Sequence, residues 1–384
     1  MQIYQVGGAV RDMLLGIEPK DRDWVVVGAE QDELITKGYK KVGRSFPVFL
    51  HPKTKEEYAL ARSEKKKGSG HQGFDIDFQA KITLEEDLAR RDFTVNAIAL
   101  DENGKFIDPF DGIGDLKKKV LRHVTDAFAE DPLRVLRAAR FAAKLEFRIA
   151  TDTKKLLSKI VDSGELCTLS EERIQRELML SLKTQAPNNF FKTLHDCNAL
   201  SKLLPECNLS QLTDPKCKVY KYFKKLNNAL ENDYLILMAI YVSKENKNKS
   251  TSSFPKLVSR LKFSKVIQEQ VSIASENWKE IANVSKASSD SILDLLKKTD
   301  AYRRIKRFKQ ILTSMEAMTS EYGVVLTKSL ALLNHIIDNP VSIEDTLKTK
   351  EYGNDKIADE IKKALDKKRK EQINEARALY VISK

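Results

Sequence analysis

Gly7-Gly8-Ala9-Val10-Arg11-Asp12, followed within one short helix's length by Asp21-Arg22-Asp23-Trp24-Val25-Val26-Val27, is the stretch that decides the fold of this chain. Ile3-Tyr4-Gln5-Val6 reads as a short strand that runs into two glycines. Glycine lets the backbone turn sharply, and its missing Cβ lets a ligand approach the amides. Val10 to Leu15 then reads as a short helix with Gly16 as its stop. A strand–glycine–helix junction points N–H groups at an anion, and Arg11 adds a fixed positive charge. The valine run makes the second element a strand. Side chains at i and i+2 share a strand face, which places Asp21 and Asp23 together and Arg22 on the other side. Two carboxylates beside phosphate oxygens suit two Mg²⁺ ions about 3.5–4 Å apart, one activating a hydroxyl and one steadying a leaving pyrophosphate. Singly, a Gly-Gly is an ordinary turn and a D-x-D a solvated strand end. Together and in this order they favour a nucleotide site.

Outward from this stretch, 384 residues suffice for two or three domains, and 41% apolar content is that of a globular protein. The excess of 67 Lys and Arg over 55 Asp and Glu leaves a formal charge of +12, which favours a polyanionic partner. The longest apolar run, Leu235 to Val242, is far short of the ~20 residues of a membrane span. No leader-like pattern precedes the first strand, so a cytoplasmic protein without a membrane partner is expected. Cys167, Cys197, Cys207 and Cys217 form no C-x-x-C and read as reduced thiols.

Up to about residue 125 the chain mixes short β-rich runs (Trp24–Val27, Val48–Leu50, Glu57–Ala61, Ile98–Leu100) with turns. Lys65-Lys66-Lys67-Gly68-Ser69-Gly70 reads as a basic flexible loop. From about 130 helical periodicity takes over, beginning with Leu133, Leu136, Phe141 and Leu145. Lys244 to Ser253 reads as a polar linker, and Lys362 to Gln372 as a charged helix face. The expected fold is α+β: a small mixed β-sheet head followed by helices to the end.

Four further segments bear on chemistry. They are Arg90-Arg91-Asp92-Phe93-Thr94-Val95-Asn96-Ala97, the turn Ile107 to Gly112, the helix Glu130 to Ala142, and Ser170-Glu171-Glu172-Arg173-Ile174-Gln175-Arg176-Glu177. Asp131 before Pro132 is a good N-cap and N1 pair, so a capping role is open for Asp131. Arg134, Arg137 and Arg140 are spaced by three and form a ribbon along one side of the helix. That ribbon is either a solvated stripe or a row reaching phosphate oxygens, which guanidinium geometry suits. Arg91 and Asp92 are open to a surface ion-pair reading with Arg90. Ser170 with Glu171 and Glu172 makes a helix start, and Arg173 and Glu177 an i,i+4 pair.

Gly-Gly-x-Val-Arg-Asp with Asp-x-Asp, Arg-Arg-Asp-x-Thr-x-Asn-Ala and Glu-Asp-x-x-Arg, in this order over roughly residues 1 to 180, resemble the motifs of class II tRNA nucleotidyltransferases, the CCA-adding enzymes and bacterial poly(A) polymerases. The resemblance implies a nucleotidyltransferase head over 1–125, a helical neck over 126–200 carrying a nucleotide-templating helix, and a tRNA-binding body and tail over 201–384. It implies ATP and CTP as substrates, the 3′ end and acceptor stem of tRNA as partner, Mg²⁺ as cofactor, and Asp21 and Asp23 as its ligands. Gly8, Arg11, Arg91, Asp92, Asp131, Arg134, Arg137 and Arg140 would then contact nucleotide, with Arg91 and Asp92 near ribose and phosphates. Cytosine and adenine share an amine donor beside a ring-nitrogen acceptor, whereas uracil and guanine show the reverse. The resemblance implies that Asp131 and Arg134 read that edge. Glu57 is a candidate third metal carboxylate, Arg62–Gly70 the segment expected to move, and Ser170–Glu177 a buttress for the templating helix.

Bacterial poly(A) polymerase is the alternative within the resemblance, as is an enzyme adding only C. The stretch Val42-Gly43-Arg44-Ser45-Phe46-Pro47 puts Ser45 where the polymerases have a second cation, which argues for CCA addition. None of the five histidines falls in an HD phosphohydrolase pattern, so that activity is not expected.

Overall fold

The computed structural model describes residues 1–19, 21–42, 48–66, 74–77, 80–226, 229–245, 253–341 and 357–382. They form two compact units, one of residues 1–205 and 209–215, the other of 206–208 and 216–384.

In the first unit, β1 (Gln2–Val6) leads into α1 (Gly8–Leu14), then β2 (Asp23–Val27), α2 (Gln31–Thr36), β3 (Lys40–Val42), β4 (Val48–Leu50) and β5 (Glu57–Leu60). A separate antiparallel pair, β6 (Ser63–Lys66) and β7 (Phe74–Asp77), follows. Next come α3 (Leu84–Ala89), β8 (Ala99–Leu100), β9 (Phe106–Ile107) and α4 (Gly112–Lys118). The main sheet has seven strands in the order β3-β4-β5-β2-β1-β8-β9. It is mixed, because β2 runs parallel to β5 while β1 pairs antiparallel with β2 and β8.

Strand alternation gives the sheet two apolar faces. Val6 and Val25 pack with Leu88 of α3, Ala97 and Ala99 on one face. Val26 and Leu60 pack with Leu34 of α2, Phe49 and Tyr58 on the other. Asp23 begins β2 on the Val25 face. Its Cα partner across the ladder is Val6, the residue before the glycine turn, and on the other side Glu57. Register therefore sets the glycines beside the carboxylate.

The helical part of this unit begins with α5 (Leu133–Leu145), followed by α6 (Thr151–Asp162), α7 (Glu171–Leu182), α8 (Pro187–Asp196) and α9 (Leu200–Leu203). Val135, Leu136, Ala138, Ala139, Ala142 and Ala143 of α5 are buried, and the helix packs on α7 and α8. Fully buried side chains such as Phe93, Phe190 and Phe191 anchor this core, each worth about 1.5–3 kcal/mol of transfer free energy. Ser170 occupies the N-cap position of α7 in an extended conformation, and its side chain makes no capping hydrogen bond there.

The second unit is helical: α10 (Lys218–Phe223), α11 (Glu231–Glu245), α12 (Ser253–Arg260), α13 (Lys265–Ala282), α14 (Ser289–Lys298), α15 (Ile305–Glu316), α16 (Thr319–Asp338) and α17 (Ile357–Arg377). The chain is thus α+β, with the sheet confined to its first third. No helix among the described residues is long and apolar enough to cross a membrane.

Several local expectations need correction. Asp21 lies before β2 rather than on it, so only Asp23 is held by the ladder. Helix α5 starts at Leu133 with Pro132 rather than Asp131 at its N-cap, one residue beyond the N-cap/N1 reading, and a 3-10 turn over Asp126–Glu130 precedes it. Asp131 still serves the helix start, accepting the Leu133 N–H at 3.0 Å. Lys65 and Lys66 belong to β6, not to a loop. The rest of that loop, the Gly43–Pro47 stretch and most of the Lys244–Ser253 linker fall outside the described residues.

Candidate active site

A cavity of about 560 Å³ opens between the glycine turn, the Arg90–Asn96 segment and the exposed side of α5. It is lined by Gly8, Arg11, Asp23, Arg91, Asp92, Asp131, Arg134, Arg137 and Arg140 of the residues singled out from sequence, together with Gly7, Arg62, Arg90, Asn96, Leu133, Phe141 and Lys144. Eight of its side chains are cationic and three acidic, so its field favours a polyanion. Asp21 stands outside it. It lines a neighbouring polar recess with Arg22, Asp23, Lys55, Glu56 and Glu57. Arg22 borders the same recess, and of the residues lining these two spaces Asp23 borders both.

Arg137 and Arg140 are each held by an acid from another element, Arg11 and Arg90 by acids near them in sequence. Arg11 is 2% exposed and donates through Nη1 to Asn96 Oδ1 at 2.6 Å, and through Nε and Nη2 to Asp12 Oδ1 at 2.8 and 2.6 Å. Arg137 donates to Asp92 Oδ2 through Nε at 2.8 Å and reaches it with Nη2 at 2.6 Å. Asp92 also accepts from the Phe93 N–H and Asn96 Nδ2, each at 2.8 Å. Burial works to raise the Asp92 carboxyl, but Arg137 and these donors hold it below the ordinary value. The reading of Asp92 as a surface partner of Arg90 gives way, since Arg90 pairs with Asp87.

Arg140 donates to Glu177 Oε2 at 2.5 Å, and Arg173 reaches Asp131 Oδ2 at 3.1 Å. Arg173 and Glu177 thus each reach across to the α5 side rather than pairing along α7. Four-residue spacing allows an i,i+4 pair, but buried partners on another element are worth more than a solvated one. Arg134 donates to the Arg90 carbonyl at 2.5 Å and lies over Phe128. Phe141 sits under three guanidiniums, those of Arg11, Arg137 and Arg140, at 5.3, 5.5 and 4.2 Å from its centroid.

Asp23 titrates upward from the ordinary carboxylate value. The cleft walls withdraw water from it, Arg91 opposes the rise, and the charge of Asp21 adds to it. Two neighbouring carboxylates, an oxygen-only donor set, fit a hard divalent cation. Among the described residues no group of three or more His, Cys, Asp or Glu stands in metal-holding geometry. The donors present therefore fit a divalent cation that takes a carboxylate pair and completes its shell with other oxygens.

Sequence reasoning missed Lys144, Asp87 and the role of Phe141. Lys144 was detectable: it stands four residues beyond Arg140 and extends the ribbon by a turn.

The architecture is that of a nucleotidyltransferase. Residues 3–122 match the family model described as the poly A polymerase head domain, and residues 146–209 one described as a probable RNA and SrmB-binding site of polymerase A. The "Multifunctional CCA protein" of Legionella pneumophila (strain Lens) is 39% identical over 375 residues, 89% of this chain and 90% of its own. The "CCA-adding enzyme" of Actinobacillus succinogenes is 44% identical over 332 residues, covering 81% of this chain and 83% of its own. The solved Thermotoga maritima CCA-adding enzyme complexed with tRNA-CCA shares the fold, with a TM-score of 0.67 over 98% of this chain and 91% of its own at 22% identity. The chain belongs to the family of CCA-adding tRNA nucleotidyltransferases.

Proposed function

We infer that this protein adds and repairs the 3′-terminal CCA of tRNA without a nucleic-acid template, using CTP and ATP and releasing pyrophosphate. The observation that carries the reading is the placement of Asp23, fixed by β-ladder register beside the glycine turn and opening onto the arginine-lined cavity. Residues 1–125 act as the catalytic head, 126–200 as a neck bearing the templating helix, and 201–384 as the body and tail that hold tRNA. The cytoplasm is the matching compartment.

Asp21 and Asp23 would hold Mg²⁺, which when bound activates the attacking 3′ hydroxyl and neutralises charge on the leaving pyrophosphate. Arg11, Arg91, Arg137 and Arg140 bind the triphosphate. A guanidinium carries five donors, and the ion pairs of Arg137 and Arg140 occupy one or two of them. The acids that hold these arginines fix their positions before the nucleotide arrives, which lowers the ordering cost of binding. On this reading Asp92 contacts the ribose 2′-OH, a contact that selects NTP over dNTP. Asp131 accepts from the exocyclic amine of C or A and Arg134 donates to the ring nitrogen. U and G leave both groups mismatched, a rejection on the order of 10⁴.

tRNA lacking its 3′ end is incubated with labelled CTP and ATP, separately and together. Two C's followed by one A is the expected product. Long A tails would make the chain a poly(A) polymerase, and C's alone a CC-adding enzyme.

A further inference from the structure

Asp87 was not part of any motif, yet it is the acid around which one wall of the cavity is arranged. Its carboxylate is fully buried, at 0% exposure, within the six-residue helix α3. Oδ1 accepts from Arg90 Nε at 3.0 Å and Nη2 at 2.7 Å, and Oδ2 from Arg91 Nη2 at 3.1 Å. Oδ1 also lies 3.3 Å from the backbone N–H of Arg62, the residue between β5 and β6. One carboxylate therefore fixes two adjacent cavity arginines and the point where the β6–β7 pair leaves the sheet. The clamp on Arg91 has a counterpart on the far side: its Nη1 would stand 2.9 Å from a Cβ at Gly7. Arg91 is confined between the Asp87 carboxylate and the glycine turn.

We propose that Asp87 is a positioning residue for the incoming nucleotide, acting through Arg91, and that it ties the root of the β6–β7 pair to that arginine. It touches no substrate. Its two oxygens do what a flexible arginine cannot do alone: they hold the guanidinium in one orientation and so set where a triphosphate oxygen is met. The proposal rests on the functional reading above, in that the cavity's ligand is a nucleoside triphosphate.

The test measures CTP binding by calorimetry on the full chain, without turnover, and amide exchange at Arg62. Asp87→Asn keeps the size of the side chain and removes the charge. It is expected to weaken CTP binding tenfold or more, speed exchange at residues 61–63, and leave tRNA affinity and exchange in Val26 and Phe93 unchanged. In an Arg91→Gln background the same substitution is expected to change CTP affinity less than twofold, because the arginine it positions is gone. This double variant removes the Asp87 charge together with one of its two arginines, leaving only Arg90 to lose its partner, and serves if Asp87→Asn alone does not fold. CTP binding by Asp87→Asn equal to that of the unaltered chain overturns the proposal, as does a further tenfold loss in the Arg91→Gln background. An unaltered chain that binds no CTP would instead sink the functional reading, while exchange at Arg62 would still report whether Asp87 holds the strand root.

Discussion

Arg137, half-buried, and Asp92, buried, form an ion pair in which one carboxylate oxygen receives two guanidinium nitrogens, at 2.8 and 2.6 Å. Arg137 is on α5 and Asp92 follows the α3 helix, so the pair joins the sheet half of the unit to its helical half. Breaking a buried pair by removing one partner costs about 3–5 kcal/mol. The pH dependence follows from the direction of the shifts. Asp92 and Asp87 are both held below the ordinary value of 3.8 in the folded chain. A depressed carboxylate contributes stability that is present above its unfolded value and lost as pH falls through its folded one. Melting temperature should be flat near neutrality and fall below about pH 4. Asp92→Asn should lower it at pH 7 and flatten that acid slope. An unchanged slope would mean that other acids control it.

Asp23→Ala should abolish nucleotide incorporation, by about 10³-fold or more, since a metal-held transition state is worth several kcal/mol. tRNA affinity, measured by filter binding, should stay within about twofold, because Asp23 lines the nucleotide side and buttresses no helix. Loss of tRNA binding would make the residue structural.

Arg134→Ala should act mainly on base choice. Its Nη2 bond to the Arg90 carbonyl already fixes its orientation, and the templating reading gives it a donor role toward the ring nitrogen. Incorporation of UMP and GMP should rise by about 10²-fold or more relative to CMP and AMP. Unchanged fidelity with weaker binding would assign Arg134 to the phosphates instead.

Glu177 is 4% exposed and holds Arg140 from α7. Glu177→Gln should leave a buried guanidinium short of its counter-charge and cost about 3 kcal/mol by urea melt. The double change Glu177→Gln with Arg140→Met should recover much of that loss, and would not do so if the glutamate acted independently of the arginine.

Five of the seven sheet strands, the glycine turn and the arginine ribbon were legible in the sequence because each follows a local rule, whereas the short β3 and β9 carry too few residues to show an alternation. What it left hidden depends on register and on contacts across elements. Nothing local says that Val6 and Glu57 flank Asp23, since that is a property of strand pairing. Nothing local separates Asp21 from Asp23, though the strand begins between them. Asp87 had a local cue, standing three and four residues before Arg90 and Arg91 on a helix end, but its weight comes from burial. Arg173 and Glu177 obey the i,i+4 rule in spacing and break it in fact, because each has a better partner across the interface.

Gly7 and Gly16 together isolate the contribution of Arg91. Both have positive φ, +74 and +73, so alanine at either is strained by about 1–2 kcal/mol. A Cβ at Gly16 would meet nothing within 4 Å, whereas one at Gly7 would stand 2.9 Å from Arg91 Nη1. A free arginine would move aside at little cost. This one is held by Asp87, so it must either break that pair or keep the turn from closing. Gly16→Ala should therefore lower the melting temperature with little effect on KM for CTP. Gly7→Ala, at φ +74 and ψ −135, should lower it at least as much and raise KM by about tenfold, the loss of one charge-assisted phosphate contact. Equal KM values for the two variants would show that Arg91 is not confined by the turn, and that the glycine is required only for its backbone angle.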